Sequence, residues 1–522
     1  MSERAGESAP ERSGGGGMSD FGRLVRAEWT KFRTVRGWVL GIVAAAVVTV
    51  LLGLYVASNS LSSCSLGTVE VECPTPPVGP GGEAVRDKFY FVHQPLAGDG
   101  AVTVRVTSMT GLITYPPPNH NEIVPGLVEW AKAGVIAKDG TAEGSRYVAL
   151  MVTAKHGVRM QHDFIHDTAG KPGAVSADAP RWLRLTRAGD TLTGEESTDG
   201  ASWTRVGTAT LAGTVEIGLF VTSPSDLTVD GGVGGGTAQA RLAKATATFD
   251  NVGLTGTAPG GDWLRDDIGA KPNLDGAPHH PGSVEEAGGV MTLSGNGDMA
   301  PLTGEAGPAV PLVLIGLVIG LIVVIVVAAL NVSTELRRGL IGVTLLASPR
   351  RGRVLAAKAV VLGTVTFVAG AAAAALVIPL AWDVLRDNGF RHPGLPLPTI
   401  ARVAVEAGLL VAGTALLTLG LGALLRRGLA AVGIAVAVVV LPYLAVIIGG
   451  LPTAASEWLL RLTPAAAFAI QQVTPEYAHV VANYTPGSGY YPLPAWGGLA
   501  VLAGYAALAL GLAAARLRRS DA

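Results

Sequence analysis

The chain has 522 residues, a formal net charge of −1, and 15% charged against 49% hydrophobic residues. So little charge in so long a chain leans toward a membrane protein, and the near-neutral total gives no ground for a nucleic-acid partner. The distribution is uneven: a polar, Gly- and Pro-rich block fills roughly residues 58–308, with apolar runs on both sides.

Residues 1–19, "MSERAGESAPERSGGGGMS", are polar and Gly-rich and are expected to be disordered. Across residues 20–36, Phe21, Leu24, Val25, Glu28, Trp29 and Phe32 recur at helical spacing, and all but Glu28 are apolar. Cations occupy the other face. The pattern predicts a cytoplasmic amphipathic helix lying along the inner leaflet, in preference to a simple basic flank. "GWVLGIVAAAVVTVLLGLYVA" (37–57) then meets the requirement of about 20 apolar residues for a crossing. Its long lead and long apolar run argue against a cleaved signal peptide. Further spans are read at 310–330, 359–382, 403–425, 429–449 and 496–515, giving six. Backbone polar groups in lipid must be satisfied within the segment, so these are helices.

Cations cluster before the first span (Arg23, Arg26, Lys31, Arg33, Arg36), and after the second (Arg337, Arg338, Arg350, Arg351, Arg353, Lys358). They recur between the fourth and fifth (Arg426, Arg427) and after the sixth (Arg516, Arg518, Arg519). Six crossings put all four clusters on one side, which the positive-inside rule makes the cytoplasm. The expectation is a multi-pass plasma-membrane protein with both termini, including the tail 516–522, cytoplasmic and the block 58–308 extracytoplasmic. Cys64 and Cys73 lie close together just beyond the first span, where an oxidising compartment favours a local disulfide.

Within that block, "KFYFVHQ", "AVTVRVTSM", "AGVIAKDG", "YVALMVTAK", "RWLRLTRAG", "TLTGEEST", "WTRVGTATL", "VEIGLFVTS" and "KATATFDNVGL" read as strands between turn signals. Asp199-Gly200 marks a hairpin. The spacing is that of an all-β sandwich over about residues 86–255. "WLRLTRAGDTLTGEESTDGASWTRVG" (182–207) and "ATFDNVGL" (247–254) resemble a concanavalin-A-like jelly roll of the lectin and glucanase group. That resemblance implies a fold and leaves a glycan or cell-wall ligand as an expectation, since many activities share it. Residues 256–308 are loop-rich; "PGGDWLRDDIG" and "GGVMTLSGNGDMAP" look like fragments of a further sandwich unit, and the stretch is read as ordered coil leading to the second span. Residues 451–494 are read as a pair of re-entrant or interfacial helices divided by Pro464 and Pro475.

Chemistry is sparse. No G-x-x-x-x-G-K-[ST] loop is present, so this chain does not hold ATP. Glu195 and Glu196 are adjacent, which points them to opposite strand faces, whereas a retaining glycosidase needs paired carboxylates on one face. "HDFIHD" is read as one strand with His162 and His166 on a face, Asp163 and Asp167 on the other, and too few ligands for a metal. No cofactor is expected in this chain. Inside the spans, Glu406 follows Arg402 by four residues and is read as an i,i+4 charge pair near the outer end of the fourth.

The connection between the second and third spans, 331–358, carries "STELRRGLIGVTLLASPRRGR": one acid, Glu335, among arginines, around an apolar centre. A basic flank needs no apolar centre; a helix entering the groove of a soluble partner does. The order of elements, with "RAEWTKFRTVRGW", "STELRRGLIGVTLLASPRRGRVLAAK" and "WLLRLTPAAAFAIQQVTPEY", resembles the permease subunits of type-2 ABC exporters, particularly those of high-GC actinobacteria. The fold class implied is a six-span α-helical permease, here with a jelly-roll sandwich in its first outer loop. The resemblance further implies a separate ATPase subunit carrying ATP-Mg, a homodimeric or related permease partner, surrounding membrane lipids, and export of a hydrophobic or amphiphilic substrate. It makes Thr334 to Ala347 the ATPase-coupling helix. The residues expected at or beside that contact are Glu335, Leu336, Arg337, Arg338, Gly339, Leu340, Val343, Leu345, Leu346, Ser348, Arg350 and Arg351. The competing expectation is a membrane-anchored carbohydrate-binding or envelope-sensing protein without transport.

Overall fold

The computed structural model describes residues 17–519, apart from 67, 115–121, 233–234, 257–261, 274–275, 278, 304–309, 338–350, 392 and 450. Helix α1 (Gly17–Thr34) breaks at Val35 and passes into α2 (Arg36–Ser58). After the β region come α3 (Gly316–Arg337), α4 (Arg351–Asp387), α5 (Leu397–Leu425), α6 (Gly428–Ile447), α7 (Thr453–Leu462) and α8 (Ala495–Arg519). Six of these, α2 to α6 and α8, are long and apolar enough to cross a membrane.

Small residues let the long helices approach. Gly316 and Gly320 of α3 lie against Thr49 of α2, where a Cβ would strike its carbonyl or hydroxyl oxygen. Within α6, Pro442 has no N–H to offer Val438, and the chain widens into a π-turn over Val436–Val440 just ahead of it. Helix α1 does not lie apart from the bundle. Phe32 is 4% exposed, and Val25 packs on the same apolar core, while Trp29 points outward, 46% exposed. The periodic stripe thus serves mainly as a packing face against α4.

Among the described residues the β region has two large antiparallel sheets and three two-stranded ladders. One runs, in spatial order, His166–Ala169, Val158–His162, Tyr147–Thr153, Lys132–Lys138, Val215–Thr222, Phe89–Leu96 and Leu264–Ile268. The other runs Thr204–Thr210, Thr191–Ser197, Arg181–Ala188, Gly100–Thr114, Ala243–Gly256, Val290–Gly295 and Ser283–Ala287, with Ile123–Pro125 also on Gly100–Thr114. Val92, Val135, Leu150 and Leu219 from the first sheet meet Val104, Leu183, Leu192 and Phe249 from the second in one core.

Sequence pattern explains the difference between the sheets. Residues 181–188 alternate and keep one face toward solvent. Residues 132–138 and 147–153 are buried throughout, in keeping with the apolar runs 133–137 and 147–152, and the flanking Lys132, Lys138 and Thr153 are buried with them. Their second face is covered by a small ladder that pairs Val85–Asp87 with Met299–Pro301, and by Phe164 and Ile268.

Two expectations need correcting here. Residues 256–308 are not coil: Leu264–Ile268 forms the edge of the first sheet, and Ser283–Ala287 and Val290–Gly295 complete the second. The "HDFIHD" segment is not one strand but a hairpin: Asp163 and Phe164 take positive φ, and His162 pairs with His166 across the turn. Between α6 and α8, helix α7 is followed by a buried 3-10 helix, Pro464–Gln471, so two short helical stretches meet at Pro464.

Candidate functional site

At the end of the bundle where α3 stops and α4 begins, four charges meet. Lys358 Nζ donates to Glu335 Oε1 at 2.7 Å and to Glu28 Oε2 at 2.8 Å. Lys31 Nζ donates to Glu28 Oε1 at 2.9 Å and lies 3.6 Å from Glu335 Oε1. Glu28, Glu335 and Lys358 are 5–6% exposed, so this is an internal cluster. Burial by itself would lower the Lys31 ammonium, but the hydrogen bond and charge of Glu28, with Glu335 beyond it, raise it above its usual value. Two acids and two bases balance, which is what allows them inside.

The three elements supplying these charges are α1, the end of α3 and the first turns of α4. Glu335 and Lys358 therefore bracket residues 338–350 and tie their flanks to each other and to α1. Of the residues expected at the ATPase contact, Glu335 is thus committed within this chain instead of standing at a rim. Leu336 and Arg337 close α3, and Arg351 opens α4. Arg338, Gly339, Leu340, Val343, Leu345, Leu346, Ser348 and Arg350 lie outside the described residues. The sequence carried a signal for the cluster: Glu28 is the one polar residue on the apolar stripe of α1.

A second polar group lies at the opposite end of the bundle. Arg402 donates to Glu406 at 3.0 Å and to the Gln472 carbonyl at 3.1 Å. Glu406 is fully buried. Nearby in the chain, Tyr443 and Tyr491 both donate to Gln471 Oε1, at 3.1 and 2.8 Å. The pair therefore anchors the segment after the 3-10 stretch as well as its own helix. Sequence reading found Arg402 and Glu406, but not the Gln471–Tyr443–Tyr491 network, since nothing in spacing links residues so far apart.

The β region meets that same end. Cys64 and Cys73 form a disulfide across the short ladder of Cys64–Leu66 with Val69–Val71. Beside it, Glu72 pairs with Arg391 and Ser62 N–H donates to the Asn388 carbonyl. His479 is 3% exposed and its Nε2–H donates to the Phe164 carbonyl at 2.9 Å, docking the α7–α8 connection on the sandwich. Burial holds the His479 imidazole at about 4, against the weaker upward pull of that hydrogen bond. Next to it a cavity of about 200 Å³ is lined by Arg86, Asp298 and Asn483.

The solvent face of the second sheet is polar. Arg184 lies over Trp203 and pairs with Glu195, while Arg105 faces Trp182 and pairs with Asp250. Glu196 points the other way and takes the Lys171 N–H at 2.6 Å, so the two glutamates do not face one another. Among the described residues there is no group of three or more His, Cys, Asp or Glu placed to hold a metal.

No family model matches the chain, and no curated protein matches it. Among solved structures it is similar to scytalido-glutamic peptidase with a transition-state analogue inhibitor, at 7% identity and TM-score 0.25 over 42% of this chain and all of that one. The same peptidase with a peptide-based analogue gives 7% identity and TM-score 0.23 over the same shares. A functionally unknown protein from Saccharomyces cerevisiae gives 16% identity and TM-score 0.21 over 38% of this chain and 93% of that one. Likeness this slight carries no argument about activity.

Proposed function

We propose that the chain is the permease subunit of a type-2 ABC exporter, moving a hydrophobic or amphiphilic substrate with energy from a separate ATPase. The observation that carries this reading is the buried cluster of Glu28, Glu335 and Lys358. A connection that only joins two spans needs no such anchoring. One that receives force from a partner must pass it on, and this cluster joins both flanks of residues 338–350 to α1 and, through it, to α2. The six long apolar helices and the order of elements support the same reading.

On this reading the end bearing α1 faces the cytoplasm, ATP and Mg²⁺ stay on the ATPase, and a second permease subunit completes the pathway. The sandwich stands outside, toward glycans or cell wall. Leu340 fills a groove on the ATPase, and a buried apolar anchor dominates such a contact. Leu340→Asp places an unpaired charge there and is expected to abolish co-purification with the ATPase and ATP-driven flux in vesicles. Arg350→Ala, at the rim, is expected to be milder. If Leu340→Asp leaves both co-purification and flux intact, the exporter reading loses its mechanical basis.

A further inference from the structure

Two lysines of strand Lys132–Lys138 are completely buried, each against one aspartate. Lys132 Nζ donates to Asp298 Oδ1 at 2.6 Å, and Lys138 Nζ donates to Asp87 Oδ2 at 2.7 Å. They differ in surroundings. Asp298 lines a cavity. Asp87 is sealed with Lys138 on the covered face of the first sheet, among Val85, Phe89, Phe164 and Met299.

The Lys138–Asp87 pair is unevenly satisfied. Asp87 Oδ2 accepts from Lys138 Nζ and from Gly144 N–H at 2.8 Å, and Lys138 Nζ also donates to the Ser145 carbonyl at 3.1 Å. Asp87 Oδ1 is buried without a partner. A stranded carboxylate oxygen in an apolar shell is costly. We propose that Lys138 and Asp87 are joined by an amide bond between Nζ and Cγ. Condensation removes one carboxyl oxygen as water, and the one without a partner is Oδ1. The two hydrogen bonds that tie the pair to the backbone survive it: the amide oxygen still accepts from Gly144, and the amide N–H still donates to Ser145.

The step balances without a co-reactant. A proton passes from the ammonium to the carboxylate, leaving a neutral amine and a carboxylic acid. Burial raises the Asp87 carboxyl, against the opposing charge of Lys138, which eases the arrival of that proton. The Nζ lone pair attacks Cγ, and Gly144 N–H steadies the oxygen that gains charge. Oδ1 then leaves as water, with the acid proton and one amine proton. Tyr147 pairs with Lys138 in register, so it shares that face, and its hydroxyl is buried without a partner.

Tryptic peptide mapping of the reduced full-length protein tests this. Trypsin does not cut after an acylated lysine, so residues 133–146 are expected as one undivided peptide, branched to the peptide that begins at Asp87 and lighter than their sum by one water. The linear peptide Ala133–Lys138 is expected to be absent, while Tyr147–Lys155 appears normally. Lys138→Arg is expected to lose the branch and restore the cut. Recovery of Ala133–Lys138 at the level of Tyr147–Lys155, or a branch joining Lys132 to Asp298 instead, overturns the proposal. The wild-type map decides by itself, should the variant fail to fold.

Discussion

Glu335 and Lys358 are 23 residues apart in the chain and 2.7 Å apart in space. Between them lies the connection on which the proposed coupling depends, so the pair acts as its clasp, with Glu28 as a third point of attachment. Lys358→Met leaves both glutamates to share the partly exposed Lys31 alone. Stranding a buried charge in this way costs about 3–5 kcal/mol. The variant is expected to lose its native size-exclusion peak at a clearly lower temperature than the parent in the same detergent, with Lys358→Arg between them. Equal melting temperatures for Lys358→Met and the parent would show that the clasp holds nothing.

Docking of the α7–α8 connection on the sandwich is expected to weaken in acid. His479 is held neutral in the fold, at about 4 against the 6.5 of a free imidazole, chiefly by burial. Below 6.5 the unfolded chain takes up a proton that the folded chain refuses, so stability falls as pH drops from about 6.5 to 4 and the loss levels off below that. The size is roughly 3 kcal/mol at the acid limit. Other groups titrate in the same range, so the comparison is with His479→Gln. The difference between the two melting-temperature profiles should slope only in that window, and parallel profiles refute the assignment.

The Cys64–Cys73 disulfide ties down the hairpin next to the Glu72–Arg391 pair. Closing so short a loop stabilises by about 2–3 kcal/mol in the chain-entropy estimate. Mass spectrometry without reductant should find neither thiol free. Cys73→Ser should speed proteolysis near residue 66 without changing the mass of the rest of the protein.

Sidedness can be read by chemical labelling. In intact cells a membrane-impermeant thiol reagent is expected to reach Ser202→Cys in the sandwich, and not Ser348→Cys or Ser520→Cys. Labelling of Ser348→Cys from outside would overturn the orientation.

The nine strands read from the sequence stand out because alternation, or an unbroken apolar run, is a local property. Ser283–Ala287 escapes that reading and Leu264–Ile268 shows only as a sandwich-like fragment, since "SVEEA" and "LRDDI" have little apolar content and become strands through pairing with Val290–Gly295 and Phe89–Leu96. The His162–His166 hairpin was hidden because i and i+4 share a face in one strand, and residues paired across a tight turn also share a face. The reversal lies in the positive φ of Asp163 and Phe164, and phenylalanine gives no warning of it. The charge cluster was half visible. Glu28 interrupts an apolar stripe and Lys358 opens an apolar helix, but only the folded chain brings them together. The Asp87–Lys138 and Asp298–Lys132 pairs left no mark in the sequence, because each aspartate lies far along the chain from its lysine, Asp87 in the strand Val85–Asp87 and Asp298 just before Met299–Pro301.

The chain enters and leaves the sandwich side by side, with Asp87 opposite Met299 and Val85 opposite Pro301 in one antiparallel ladder. A two-residue turn can close such a ladder into an ordinary hairpin. Seen along the chain from the helices, then, the whole sandwich occupies the footprint of a single tight bend. By its covalent links it is a graft, and the Glu72–Arg391, Ser62–Asn388 and His479–Phe164 contacts then seat that graft on the helical part.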